Sequence, residues 1–350
     1  MNKKKLGDII KFVIFISLGI FFIYWFLLKL DPEQKQSIWQ SFISANYWWV
    51  GVAMICCLAG HFVRTLRWKM LYRPLGYQPA IGNVFGAVLV TYLANLAFPR
   101  LGEVLRCAVL KTSEDIPVEK SLGTVVTERI IDTLLFLIVA ATGILLMYST
   151  IQGWLTDGLS EKINNLPGIG GVLLIFGVCL IAGFLVYKFF WTRMVQYSPF
   201  RKIDTFVRGC IEGVKSIFHL GAKESFLFFF YSLVIYLFYI LGGLIIFQAF
   251  PGTHGLGFEA AFVLYLFGSV GMGLSQGGIG VYPVLVQSAL AIYGVAMEEG
   301  TAAGWLLWSS QQVVVLVFGL LFFLYFSIKK KHTPNDLKDT NTTTLNSINQ

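Results

Sequence analysis

Asn95-Leu-Ala-Phe-Pro-Arg-Leu-Gly-Glu-Val-Leu-Arg106 is the stretch on which the folding of this chain turns. It lies in one of the most apolar parts of the sequence. Yet it holds Asn95, Arg100, Glu103 and Arg106, and Pro99 and Gly102 interrupt its backbone. An ionised side chain at the centre of a hydrocarbon layer costs from about 2.5 to more than 10 kcal/mol. A proline inside a helix also removes a hydrogen bond that lipid cannot replace. Both are tolerated together only where the segment is buried in protein or lines a wet cavity. The stretch reads as the tip of a broken, re-entrant helical hairpin.

The surrounding composition fits that reading. Of 350 residues, 56% are hydrophobic, 16% aromatic and only 13% charged, against about 25% charged in soluble domains. Apolar runs recur near the roughly 20 residues needed to cross a bilayer, which predicts a polytopic, all-α membrane protein. The alternating pattern of a transmembrane β-barrel is missing. The net charge of +8 comes from basic residues at the ends of apolar runs. Those are topology signals facing an anionic leaflet, so no nucleic-acid partner is expected. The five cysteines, Cys56, Cys57, Cys107, Cys179 and Cys210, suggest neither a disulfide nor a metal cluster. No metal and no cofactor are expected.

Taken in order, the chain predicts about six full spans and two interrupted segments. Lys3-Lys4-Lys5 precedes an uncleaved first span at residues 9–28, and a linker of mixed charge covers 29–46. Span two, at 47–66, opens on the interfacial aromatics Tyr47-Trp48-Trp49 and ends among Arg64, Arg67, Lys69 and Arg73. The first interrupted segment has an apolar arm at 81–98, a break at 99–102 and an arm at 104–110 too short to cross alone. After a polar loop at 111–120 come span three (121–148), an external loop (149–167) and span four (168–190). A basic stretch, 191–223, has the character of a cytoplasmic surface helix. Span five is 226–250. The second interrupted segment joins 259–274 to 281–293 through Ser275-Gln-Gly-Gly-Ile-Gly280; its arms are longer, so it reads either as a re-entrant hairpin or as a full double crossing, and span six is 302–328. Residues 1–330 form one integral membrane domain, and 331–350 a disordered cytoplasmic tail. Every basic cluster then falls on one side, which puts both termini in the cytoplasm. The two broken segments enter from opposite faces, the layout of a pseudo-inverted repeat with its site near mid-membrane.

Charges gather around the first break. Glu103 and Arg106 lie three apart on any helix that restarts after Gly102. A restarted helix offers free N–H groups that, with Arg100 and Arg106, suit a phosphate. In span three, Glu128 and Asp132 are four apart and Arg129 is three before Asp132. The bland reading is a set of salt bridges holding the hairpin to span three; the functional one is a site for a zwitterionic or anionic headgroup. Arg64 and Arg67, near a span end, read more simply as anchors that snorkel to the interface. His61 reads as a packed or hydrogen-bonded side chain. Gly277-Gly278-Ile-Gly280 lacks the strand and the Lys-Ser/Thr of a nucleotide loop and reads as a tight tip using positive φ. Ser275 and Gln276 offer hydrogen bonds there.

At these residues the sequence resembles a known family, the flippase-like membrane domain of lysyl-phosphatidylglycerol synthases. The resemblance rests on Asn95…Pro99-Arg-Leu-Gly-Glu103-Val-Leu-Arg106, Glu128-Arg-Ile-Ile-Asp132, Gly277-Gly-Ile-Gly280, and Arg64-Thr-Leu-Arg-Trp68. Two positions depart from the family pattern: Gln276 stands where the family has proline, and Pro283 where it has glutamate. The resemblance implies handling or movement of a membrane lipid in the cytoplasmic membrane. It does not imply transfer of lysine from tRNA, since no stretch reads as the soluble synthase domain. The site expected is Asn95, Arg100, Glu103, Arg106, Glu128, Arg129, Asp132, Arg64, Gln276, Gly277 and Gly278. Arg100, Arg106 and Arg129 would meet a phosphate; Glu103, Glu128 and Asp132 would meet an amine or balance the arginines. The partner is a phospholipid or glycolipid headgroup, and a homo-oligomer is compatible with the chain. The reading favours a transporter over an enzyme. A membrane-embedded transferase or accessory acting on lipid-linked substrates is the alternative, and a scaffold recruiting a soluble partner through residues 191–223 a third.

Overall fold

Nine α-helices and no strands make up the described residues, which are 31–98, 100–146 and 220–329 with Tyr24 and Leu28 besides, in a computed structural model. The spans expected at 9–28 and 168–190, Pro99, the loop 149–167, most of the basic stretch 191–223 and the tail lie outside them.

The stretch expected as a linker instead forms α1 (Pro32–Ser44). Its start is local chemistry: Pro32 sits in the first turn and the Gln34 side chain accepts from the Asp31 N–H at 3.0 Å. α2 (Tyr47–Met70) begins behind Asn46, whose side chain accepts from the Trp48 N–H at 3.1 Å. The first hairpin is α3 (Ile81–Ala97) and α4 (Leu101–Glu114). Its second arm is longer than expected because the helix continues through Lys111, Thr112 and Ser113. The two hydroxyls bond back to the Ala108 and Val109 carbonyls, and Asp115 ends the helix at φ 53°. At about 1.5 Å per residue that arm is still shorter than the roughly 30 Å hydrocarbon core.

α5 (Val118–Leu146) carries Glu128, Arg129 and Asp132, and α6 (Ala222–Phe247) pairs along α2. The second hairpin is α7 (Phe258–Leu274) and α8 (Val281–Ala291), joined by a short 3-10 turn over Gln276–Gly278. α9 (Met297–Lys329) packs on α8, α3, α2 and α1 and so touches both hairpins. Among the described residues, Tyr47–Leu75, Ala222–Phe247 and Met297–Ile328 are long and apolar enough to cross a membrane.

Among the described residues two large apolar cores result, with a small third cluster around Val263 and Ala289. One gathers Trp68, Tyr72, Val88, Leu110, Ile131 and Phe228; the other Val50, Ile240, Phe247, Ala261, Leu290 and Leu307. The α2–α6 pair contributes to both. The polar residues of these two helices, His61 and Arg64 on one and Ser232 and Tyr239 on the other, fall in sequence between the two core contributions.

Candidate functional site

The polar layer starts from helical spacing. His61, Arg64 and Arg67 fall at steps of three on α2, while Thr124, Glu128 and Asp132 fall at steps of four on α5, so each set forms one stripe. Where the stripes face each other, Glu128 is fully buried and receives three arginines. Arg64 Nη1 lies 3.3 Å and Arg67 Nη2 3.0 Å from its Oε1, and Arg106 Nη1 lies 2.8 Å from its Oε2. Asp132 binds Arg64 at 3.0 Å and Arg67 at 2.6 Å. Arg129 closes the group at 3.6 Å from Glu128 and 3.5 Å from Asp132. Neighbours satisfy much of the remaining capacity: Arg64 donates to the Tyr239 hydroxyl at 2.8 Å and Arg67 to Ser232 Oγ at 2.9 Å. The Arg106 guanidinium lies 4.4 Å above the Trp68 ring, and the Trp68 N–H donates to Thr124 at 3.0 Å. Four guanidinium groups face two carboxylates, a formal excess of two positive charges.

The first tip is built from what surrounds Gly102. The Asn95 side chain accepts from the Gly102 N–H at 2.8 Å, tying the end of α3 to the start of α4. A Cβ at Gly102 would strike the Thr91 carbonyl, so the two arms approach as closely as only glycine permits. Arg100, at φ 66°, makes the turn in the left-handed region. The second tip turns through Gly277, Gly278 and Gly280, at φ 61°, 77° and 74°. The tips meet: the Gln276 side-chain amide donates to the Asn95 carbonyl, and a Cβ at Gly277 would lie 3.1 Å from Leu96. Trp308 of α9 donates to the Gly277 carbonyl at 2.8 Å and holds the second tip in place. Gln276 thus makes a contact that the family's proline lacks the donor to make. Pro283 sits in the first turn of α8, where a missing N–H breaks no helical bond.

Beside the touching tips lies a cavity of about 590 Å³, walled by Arg100, Glu103, Arg129 and Gln276 among others. A second hollow of about 290 Å³ shares Arg129, Tyr239 and Tyr265 with it and reaches Arg64 and Asp132. The volume of the larger is in the range of small-molecule pockets, roughly 300–1,000 Å³. Arg100 is exposed, and neither it nor Glu103 forms an ion pair among the described residues. Among those residues no group of three His, Cys, Asp or Glu side chains could hold a metal ion.

The expected site residues therefore divide. Asn95, Arg100, Glu103, Arg129, Gln276 and Gly277 line the larger cavity, and Gly278 lies in the same turn. Arg64 and Asp132 reach only the smaller one, and Arg106 and Glu128 line neither. Glu103 and Arg106 lie three apart on α4, as expected, but serve different surroundings: Glu103 lines the larger cavity and Arg106 binds Glu128. Arg64 and Arg67, read as interfacial anchors, are 6% and 1% exposed and are the two most connected cations of the cluster. Arg67 was not expected in the site. The available signal was its three-residue spacing from Arg64, which matches the four-residue spacing of Glu128 and Asp132. His61 packs against the Tyr92 ring at 4.5 Å and lies 3.6 Å from Cys57 Sγ, a packed histidine as expected.

The chain matches the family described as the lysylphosphatidylglycerol synthase TM region over residues 9–329, and it belongs to that family. It is 34% identical over 98 residues to the UPF0104 membrane protein MJ1595 of Methanocaldococcus jannaschii, which is 27% of this chain and 29% of that protein. It is 27% identical over 142 residues to the glycosyltransferase AglD of Haloferax volcanii, 40% of this chain and 22% of that protein. The chain thus spans less than a third of either relative's length. No solved structure matches it. With three long apolar helices, membership of this family makes it a multi-pass membrane protein.

Proposed function

We propose that this protein moves a phospholipid or glycolipid headgroup across the cytoplasmic membrane through the cavity beside the touching tips. The observation that carries the reading is an uncommitted Arg100 and Glu103 on one wall of a mainly apolar cavity between interrupted helices. A partly buried carboxylate such as Glu103 that served only to hold the fold would be paired, as Glu128 is with Arg67. Here the paired cluster braces the wall, and the unpaired residues face the open space. In the membrane arrangement we propose, six full spans surround two re-entrant hairpins that enter from opposite faces as a pseudo-inverted repeat. Both termini then lie in the cytoplasm, in keeping with the basic ends of the spans. Arg100 and Arg129 meet the phosphate, and Asn95, Gln276 and Gln311 meet the rest of the headgroup.

A proteoliposome assay tests this. A dye-labelled phospholipid placed in both leaflets is bleached from outside by an impermeant reductant. Wild-type protein is expected to make the inner pool accessible, and Arg100→Ala with Glu103→Gln to slow that at least about tenfold without lowering the yield of folded protein. Equal rates for the two proteins would defeat the site; no movement with any labelled lipid would defeat the function.

A second reading has one observation in its favour, the partial likeness to a protein named a glycosyltransferase. The membrane domain would then present a lipid-linked substrate to a transferase. Product formed by the purified protein from a lipid-linked donor would favour that reading.

A further inference from the structure

The large cavity carries more information about its ligand than the two charges used so far. Among its lining residues Glu103 is the one acid. The other carboxylates nearby, Glu128 and Asp132, are held by Arg64 and Arg67, and Glu128 by Arg106 as well. The wall that includes Arg129 is backed by a cluster with two excess positive charges. A headgroup bearing an extra ammonium would enter against that field, and a headgroup bearing only phosphate would enter with it.

The remaining polar groups of this mainly apolar lining are neutral. Gln312 contributes an amide and Tyr92 a phenol, whereas Ser269 bonds to Tyr265, Gln311 to Tyr282, and the Tyr239 hydroxyl accepts from Arg64. Gln312 is 8% exposed and makes no hydrogen bond with another described residue, so its amide is available within the cavity. Tyr239 and Tyr265 stack with ring centroids 5.7 Å apart and form one rigid aromatic wall. A glycerol headgroup could reach Gln312 and Tyr92 with its two hydroxyls, but it has no ring face to lay against the aromatic wall. A sugar ring has several hydroxyls in fixed directions for the amide and the phenol, and an apolar C–H face for the aromatic wall.

We infer that the ligand is a glycosyl phospholipid, a sugar joined through phosphate to a lipid tail, with its phosphate at Arg100 and Arg129 and its sugar between Gln312 and Tyr92. The inference rests on the lipid-binding reading of this cavity, and it is separable from transport because it predicts an order of binding.

The test uses full-length protein in detergent, with intrinsic tryptophan fluorescence as the readout and three short-chain probes. These are a hexosyl phosphodiester of a ten-carbon prenol, the methyl phosphodiester of the same prenol, which keeps the single charge but has no sugar, and an aminoacylated phosphatidylglycerol. The sugar phosphate is expected to bind about tenfold or more tighter than the sugar-free phosphate, the equivalent of two or three neutral hydrogen bonds. The aminoacylated lipid is expected to bind weakest. Gln312→Leu should reduce the preference for sugar to threefold or less while leaving sugar-free phosphate binding in place. Arg100→Ala should weaken both phosphates together. Equal binding of the sugar and sugar-free probes, or tightest binding of the aminoacylated lipid, overturns the inference even if vesicle assays show lipid movement. The expected order of binding upholds it even if no movement is seen, in which case only transport has failed. The wild-type probe order decides the matter should Gln312→Leu not fold.

Discussion

At its break the α3–α4 hairpin turns on one left-handed residue, Arg100, and closes with the Asn95 side chain on the Gly102 N–H. The α7–α8 hairpin turns through three glycines and is held from outside by Trp308. The first tip carries charge, Arg100 and Glu103, whereas the second brings a neutral amide, Gln276, and three glycines. The difference teaches how a cavity in an apolar bundle can be both rigid and receptive. Paired charges fix one wall, while a glycine-rich tip held by Trp308 and by the Gln276 contact with Asn95 shapes the other.

The largest expected effect breaks the braced side. Glu128→Gln leaves Arg64, Arg67 and Arg106 without their shared carboxylate in a fully buried position. Losing one partner of a buried ion pair costs about 3–5 kcal/mol. Heating in detergent followed by size-exclusion chromatography should show most folded protein lost; an unchanged melting midpoint would mean the cluster does not brace the fold.

Next comes a direct contest between the tips. Gly102→Ala drives a methyl into the Thr91 carbonyl, a backbone atom that cannot give way without spreading the arms. Such overpacking costs about 1–3 kcal/mol or more. Gly277→Ala meets only the end of Leu96 and pays chiefly for its φ of 61°, about 1–2 kcal/mol. The same heating assay should rank Gly102→Ala as the more damaging; the reverse order would contradict the assignment of the tight closure to the first hairpin.

Arg100→Gly should sharpen the contrast by moving stability and activity in opposite directions. Glycine at φ 66° relieves up to about 1 kcal/mol of strain, so the melting midpoint should rise while vesicle lipid movement falls. A rise in both would show that Arg100 does not serve the ligand. The smallest effect is expected for Gln276→Leu, which removes one hydrogen bond to the Asn95 carbonyl, worth about 0.5–1.5 kcal/mol. It is measurable as faster amide exchange near residues 95–98.

How legible all this was in the sequence follows from the range of each signal. The breaks at 99–102 and 275–280 were plain because proline and glycine act on their own backbone, and the glycines of the second tip adopt positive φ as expected. The arginines and carboxylates of the cluster stood out for the same reason: charge in an apolar run needs a local explanation. Arg67 was left out of the site, and Arg64 was read both as a site residue and as an anchor, because a basic residue near a span end has a cheaper explanation, snorkelling, and only α5 on the facing side decides otherwise. α1 was missed because its mixed charge hides a short apolar face, Ile38 and Phe42, that packs against the rest of the bundle. The contact of Gln276 with Asn95 spans 181 residues, and no local pattern could announce it.

The central claim is that the two tips meet and that lipid passes beside them. In a background lacking the five native cysteines, Leu96→Cys with Gly277→Cys places two thiols across the contact for a short reducible cross-linker. The account predicts efficient cross-linking in proteoliposomes, loss of lipid movement when it forms, and recovery when it is reduced. Absent cross-linking, or full cross-linking with lipid movement unchanged, would contradict it.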